Sequence, residues 1–202
     1  GRAGGGGRGA GGAGGRAGGP AAAGMQLSWD GSEGSPYSRG QLRWSPDSKK
    51  IAAYRVTPGY QRMVRYVLSS PTDQLQPGYA ERYYQKPGDV VTLREPALFD
   101  VASRKAFKID NTLFSNAYNL GQVQWWRDSR GFTFEYNQRG HQVYRIIEVD
   151  ANTGTPRVLV DEQSKTFIDY ADKLFQYYLP KTNEIIWMSE RDGWNHLYLY
   201  DA

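Results

Sequence analysis

Few residues in this chain have side chains placed for chemistry. Histidine occurs only at His141 and His196, and each follows a turn glycine inside a strand-turn-strand pattern. A general base needs a nucleophile or acid within hydrogen-bond reach. Neither pattern supplies one, so both histidines read as turn or strand-edge hydrogen-bonding groups. The chain has no cysteine, which rules out disulfides and thiolate metal sites, and no His, Asp and Glu cluster has metal-ligand spacing. No serine stands in a Gly-x-Ser-x-Gly elbow, so no Ser-His-Asp set can be assigned. Glu135 and Glu190 lie in strand and turn patterns and read as contacts rather than acids. The expectation is no catalytic residue, no metal and no cofactor within these residues.

The elements around them are strands. In Gln41 to Tyr54, Leu42 and Trp44 alternate with polar neighbours, Pro46-Asp47-Ser48 supplies a turn, and Ile51 to Tyr54 returns extended. A second copy runs through Trp125-Trp126-Arg127-Asp128-Ser129 into Phe132-Thr133-Phe134-Glu135-Tyr136. A weaker third runs from Phe175 through Pro180-Lys181-Thr182-Asn183 to Ser189. Such repetition predicts inner hairpins of successive propeller blades. Around the second copy, Gln142 to Val149 and Arg157 to Val160 complete a four-stranded blade. After the first, Met63 to Leu68 and Arg82 to Gln85 read as extended, and Pro96 to Val101 with Lys105 to Ile109 makes an outer hairpin. Trp44 and Trp126 are 82 positions apart and Trp126 and Tyr178 only 52. The first blade must therefore carry an insertion of about thirty residues, placed at Ser70 to Gly88. Trp125, Trp126, Trp187 and Trp194 read as core. The fold class expected is all-β, a partial β-propeller of four-stranded antiparallel blades over residues 25–202.

Residues 1–24 are almost entirely Gly, Ala and Arg. Without a large apolar side chain they cannot offset the entropy of ordering, so a disordered N-terminal tail is expected. Arg2, Arg8 and Arg16 account for three of the four net positive charges, leaving +1 for residues 25–202. A nearly neutral folded part argues against nucleic acid or an anionic membrane as partner. No apolar run approaches the length of a bilayer span.

Four stretches carry a resemblance: Trp44-Ser45-Pro46-Asp47-Ser48; Tyr84-Gln85-Lys86-Pro87-Gly88; Phe132 to His141; and Ser189-Glu190-Arg191-Asp192-Gly193-Trp194-Asn195-His196-Leu197-Tyr198. Together they resemble the N-terminal β-propeller of dipeptidyl peptidase IV type serine peptidases, in the prolyl oligopeptidase superfamily.

The resemblance implies a periplasmic or secreted exopeptidase that removes dipeptides or tripeptides, often after proline. Its propeller would gate a C-terminal α/β-hydrolase domain that these residues do not include. Implied partners are a peptide substrate, that hydrolase domain and a second copy in a homodimer. The family places paired glutamates before the Trp-Ser-Pro strand to hold the substrate's α-ammonium. Glu33, in Asp30-Gly31-Ser32-Glu33-Gly34, lies at the corresponding distance, although its neighbour is Gly34. Tyr170 falls where the family has a pocket aromatic. A solvated turn glutamate and a packing tyrosine are the competing readings. At the level of the whole protein, the alternative is a non-catalytic propeller serving as a binding platform.

Overall fold

The structure, a computed structural model, describes residues 24–172 and 174–202. Apart from Gly24, the expected disordered tail lies outside them. Among the described residues fourteen strands follow one another: β1 (Arg43–Trp44), β2 (Lys50–Thr57), β3 (Met63–Leu68), β4 (Gly78–Tyr83), β5 (Leu93–Asp100), β6 (Lys105–Phe107), β7 (Ala117–Leu120), β8 (Gln124–Trp125), β9 (Gly131–Gln138), β10 (Val143–Asp150), β11 (Pro156–Gln163), β12 (Gln176–Leu179), β13 (Glu184–Ser189) and β14 (His196–Asp201). Helix among the described residues is confined to two single 3-10 turns, Arg39–Gln41 and Thr112–Phe114. No helix there is long and apolar enough to cross a membrane.

All pairings are antiparallel. The first sheet has the order β1-β2-β5-β6, the second β11-β10-β9-β7, and the third β12-β13-β14. β8 continues the edge begun by β7, pairing Gln124 and Trp125 with Thr133 and Phe132 of β9, so the second sheet is also four positions wide. The all-β class and the four-stranded antiparallel units agree with the sequence expectation, and the sheets do not close into a ring.

Alternation along β9 explains the stacking. Phe132, Phe134 and Tyr136 face one side and pack with Ala52, Tyr54 and Leu98 of the first sheet. Thr133 and the neighbouring Tyr144 and Ile146 of β10 face the other side, where Trp126, Ile185 and Trp187 join the third sheet. Covered on both faces, β9 has six of its eight residues buried, including the polar Thr133 and Asn137. The rings meet edge-on, as aromatic quadrupoles favour: Tyr54 with Phe134 at 6.1 Å, and Phe114 with Phe134 at 5.2 Å.

The inner turns repeat closely. Ser45 N–H donates to Lys50 O and Ser48 N–H to Ser45 O; Trp126 N–H donates to Gly131 O and Ser129 N–H to Trp126 O. Ser48 and Ser129 both take left-handed backbone, at φ 59° and 61°, and Asn183 takes it at 59° in the third turn. The two serine turns therefore superpose at a spacing of 81, which makes Trp125 the counterpart of Trp44. The spacing of 82 read from Trp44 and Trp126 is one residue too long because the sequence offers two adjacent tryptophans. Neighbouring repeats also touch at near-equivalent places. Asp47 N–H donates to Ser129 Oγ at 3.1 Å, and Trp125 Nε1–H to Arg43 O at 3.1 Å.

The insertion in the first unit is a separate two-stranded arm. β3 pairs with β4 between the end of β2 and the start of β5, so the excursion occupies residues 58–92 rather than Ser70 to Gly88 alone. Its base is clamped: Arg62 Nε and Nη2 donate to both oxygens of Asp89, and Tyr60 N–H donates to Val90 O. Gly59 is packed so tightly there that a Cβ would lie 2.5 Å from Thr92 N. Trp194 also departs from expectation. It sits at the tip of the β13–β14 turn, 77% exposed, where a turn has no facing sheet to cover it.

Candidate functional site

Glu33 occupies the tip of a turn closed by the Ser32–Ser35 bridge, and its side chain is exposed. The turn is tied to β2 at several points. Tyr37 bridges to Arg55, Ser35 Oγ lies 3.2 Å from Thr57 Oγ1, and Arg55 Nη1 donates to Asp30 Oδ2 at 2.8 Å. Arg55 also donates to Glu95 at 2.8 Å, and Tyr37 donates its hydroxyl proton to Asp30 Oδ1 at 2.8 Å. That bond, helped by Arg55, holds the Asp30 carboxyl below its ordinary range; burial, with the bond to Asp30, pushes the Tyr37 hydroxyl up to about 12. A carboxylate is thus presented to solvent at the C-terminal end of β2, on a loop whose anchoring polar groups already have partners.

Tyr170 lies at the corresponding end of the second sheet. It stacks on His141, centroids 4.5 Å apart and planes 30° from parallel, with Tyr118 at 5.9 Å and Phe167 at 6.1 Å. Tyr118 meets His141 edge-on at 4.7 Å. Gly140, at φ 95°, and His141, at φ 55°, form the β9–β10 turn that aims the imidazole into this group. His141 Nδ1–H donates to the buried Asn137 Oδ1 at 2.9 Å, which fixes the ring. Interaction with the Tyr118 hydroxyl raises the Tyr170 hydroxyl above the usual tyrosine range. The half-exposed platform of three rings and an imidazole can stack an apolar or aromatic group.

Glu33 and Tyr170 therefore sit at the same end of adjacent sheets, since β2 and β9 occupy equivalent places, and among the described residues no direct contact joins them. His141 is a strand-end hydrogen-bonding group, as the sequence suggests, but its stacking role was not anticipated. The Gly140-His141 pair after an aromatic strand, followed by Phe167 and Tyr170 three residues apart, is the only local signal for it. His196 begins β14, 3.7 Å from Asp192.

Two buried carboxylates have structural assignments. Glu148 accepts from Trp126 Nε1 at 2.6 Å and from Arg157 Nε, with Arg130 at 3.4 Å. Glu162 accepts from Ser189 Oγ at 2.6 Å, Trp187 Nε1 at 3.3 Å and Arg191 Nη2 at 2.9 Å. Each joins a core tryptophan to arginine, so both serve packing and are not available as acids.

A family model described as the dipeptidyl peptidase IV N-terminal region matches residues 37–202. The chain belongs to this family. Tyr170 lies inside the match and Glu33 just upstream of it. Two solved structures share the fold of the dipeptidyl peptidase IV N-terminal region described here. Dipeptidyl peptidase 4 of Porphyromonas gingivalis matches with TM-score 0.60 and 20% identity over 79% of this chain. A Bacteroides ovatus protein described as a dipeptidyl aminopeptidase IV matches with TM-score 0.56 and 20% identity over 87%. The chain spans 22% and 26% of those two proteins.

Proposed function

We propose that this chain is part of a β-propeller that recognises and gates peptides for a serine exopeptidase, releasing dipeptides or tripeptides from N-termini, often after proline. In this reading residues 25–202 are propeller blades, and the nucleophile belongs to an α/β-hydrolase domain following in the same protein. The setting is periplasmic or secreted. The family match over residues 37–202 carries the reading, and repeated contacts between equivalent turns support the blade arrangement.

Two residues are assigned to the peptide. Glu33, exposed on an anchored turn, accepts charge-assisted hydrogen bonds from the peptide's α-ammonium. Tyr170, with Tyr118 and His141 beside it, packs against an apolar side chain of the peptide.

In the full-length protein, hydrolysis of Xaa-Pro p-nitroanilide is expected to be abolished by a serine-directed inhibitor and by acetylating the substrate's amine. Glu33→Gln should raise KM about tenfold with a smaller change in kcat, the size expected for a lost charged hydrogen bond. The 202-residue chain alone should hydrolyse nothing, because it holds no assignable triad. Hydrolysis by this chain, or an unchanged KM in the Glu33 variant, would count against the respective assignments.

A further inference from the structure

Half of the fourteen arginines among the described residues are paired with acids. Arg55, Arg62, Arg65, Arg130, Arg145, Arg157 and Arg191 each have a carboxylate within 4.0 Å. Arg94 and Arg139 do not, and both line one cleft of about 490 Å3 beside the inner edge of the second sheet. Gln85, Thr92, Tyr118 and Asn119 complete its polar wall, and no acidic residue lines it. Arg94 Nη1 donates to the neutral Asn119 Oδ1 at 2.9 Å, leaving its remaining N–H groups unclaimed among the described residues. Arg139 is held by its backbone, N–H to Asn116 O at 3.0 Å, while its guanidinium has no partner among the described residues. The carboxylate of Glu135 is outside the cleft lining and accepts from the Tyr144 hydroxyl.

Two guanidiniums converging on a cleft without an anion favour a planar oxyanion, since the guanidinium fork matches a carboxylate bidentately. The amide and hydroxyl groups of Gln85, Asn119, Thr92 and Tyr118 can satisfy the oxygens and backbone of a peptide around it. Tyr118 also belongs to the His141–Tyr170 stack, so the cleft opens directly beside an aromatic platform. We propose that this cleft binds a carboxylate of a short peptide, with a neighbouring apolar side chain on the Tyr118–His141–Tyr170 platform. The choice of a peptide rests on the peptide-recognition reading above, whereas the anion site rests on the arginines alone.

Calorimetric titration of the 202-residue chain with N-acetyl-Ala-Glu-Phe-amide tests the proposal. The blocked amine takes Glu33 out of the measurement, so failure of the ammonium assignment leaves this result untouched. The glutamate peptide is expected to bind about tenfold more tightly than N-acetyl-Ala-Gln-Phe-amide, the size expected for a hydrogen bond to a charged group. Raising the salt should weaken it. N-acetyl-Ala-Gln-Phe with a free C-terminus separates the two carboxylate sources: binding of either acid supports the site and identifies which carboxylate it takes. Arg94→Gln with Arg139→Gln should remove the preference, Asn119→Asp should weaken it by placing a competing carboxylate against Arg94, and the exposed Arg127→Gln should leave it unchanged. Equal binding of all three peptides, no binding of any, or a preference retained in both the arginine and the Asn119 variants would overturn the proposal.

Discussion

Glu148 shows how a single buried charge is retained. Its side chain is 6% exposed, yet the Trp126 N–H and the Arg157 guanidinium donate to its oxygens, while Arg130 forms an ion pair with it at 3.4 Å and lies over the Trp126 ring at 4.8 Å. Removing one member of such a set is costly, because the others stay buried without partners. Glu148→Ala should therefore destabilise the chain by about 3–5 kcal/mol, read from chemical denaturation. Glu148→Gln should lose less, since it keeps an acceptor for Trp126. Equal stability of Glu148→Ala and the parent would mean that the cluster is only decorative. Glu162, on the neighbouring strand of the same sheet, uses the same device toward Trp187 and Ser189 of the third sheet, which explains why both acids, though buried, belong to packing rather than to a site.

The arm, β3 with β4, has little core of its own. Val67, Leu75 and Tyr79 are exposed, and its attachment depends on the short clamp at its base. Hydrogen bonds from Arg62 and the Lys86 N–H bring the Asp89 carboxyl down to about 2. A carboxylate with a depressed folded-state pKa stabilises above its unfolded value and loses that contribution as pH falls through the folded one. The base of the arm should therefore loosen between pH about 4 and about 2. Amide exchange at Tyr60 and Tyr84, whose N–H groups bond across the base, should accelerate in that window, and Asp89→Asn should show the faster exchange already at neutral pH. Protection at these amides, relative to the unstructured rate at each pH, that stays constant through the window in the parent would disprove the clamp.

Across the whole molecule, the covered and uncovered sheet faces differ. The second sheet is packed on both sides, whereas the outward face of the third shows Tyr177 at 54%, Leu197 at 62% and Leu199 at 60% exposure, above half-buried Ile186 and Met188. Soluble monomers avoid a contiguous apolar face of this kind, and β14 is also a free edge. The isolated chain is expected to self-associate, with sedimentation that depends on concentration. Replacing Leu197 and Leu199 together with Lys should shift it toward monomer. A compact monomer at all concentrations would show that the face is otherwise protected.

The sequence by itself determined the local pieces. Alternation in Phe132 to Tyr136 and the Asp-Ser turns after Trp44 and Trp125 specify hairpins, because side-chain period and turn chemistry act over a few residues. The family motifs are local in the same sense and were legible for that reason. Tertiary structure decided whatever depends on contacts between distant positions. It set the repeat at 81 rather than 82 through Ser48 and Ser129, extended the insertion to the whole of residues 58–92, and turned Trp194 outward. It also gathered Tyr118, His141, Phe167 and Tyr170 into one platform, and left Arg94 and Arg139 without acids. Which charged side chain finds a partner depends on where neighbouring sheets place theirs, and no periodicity along one strand encodes that.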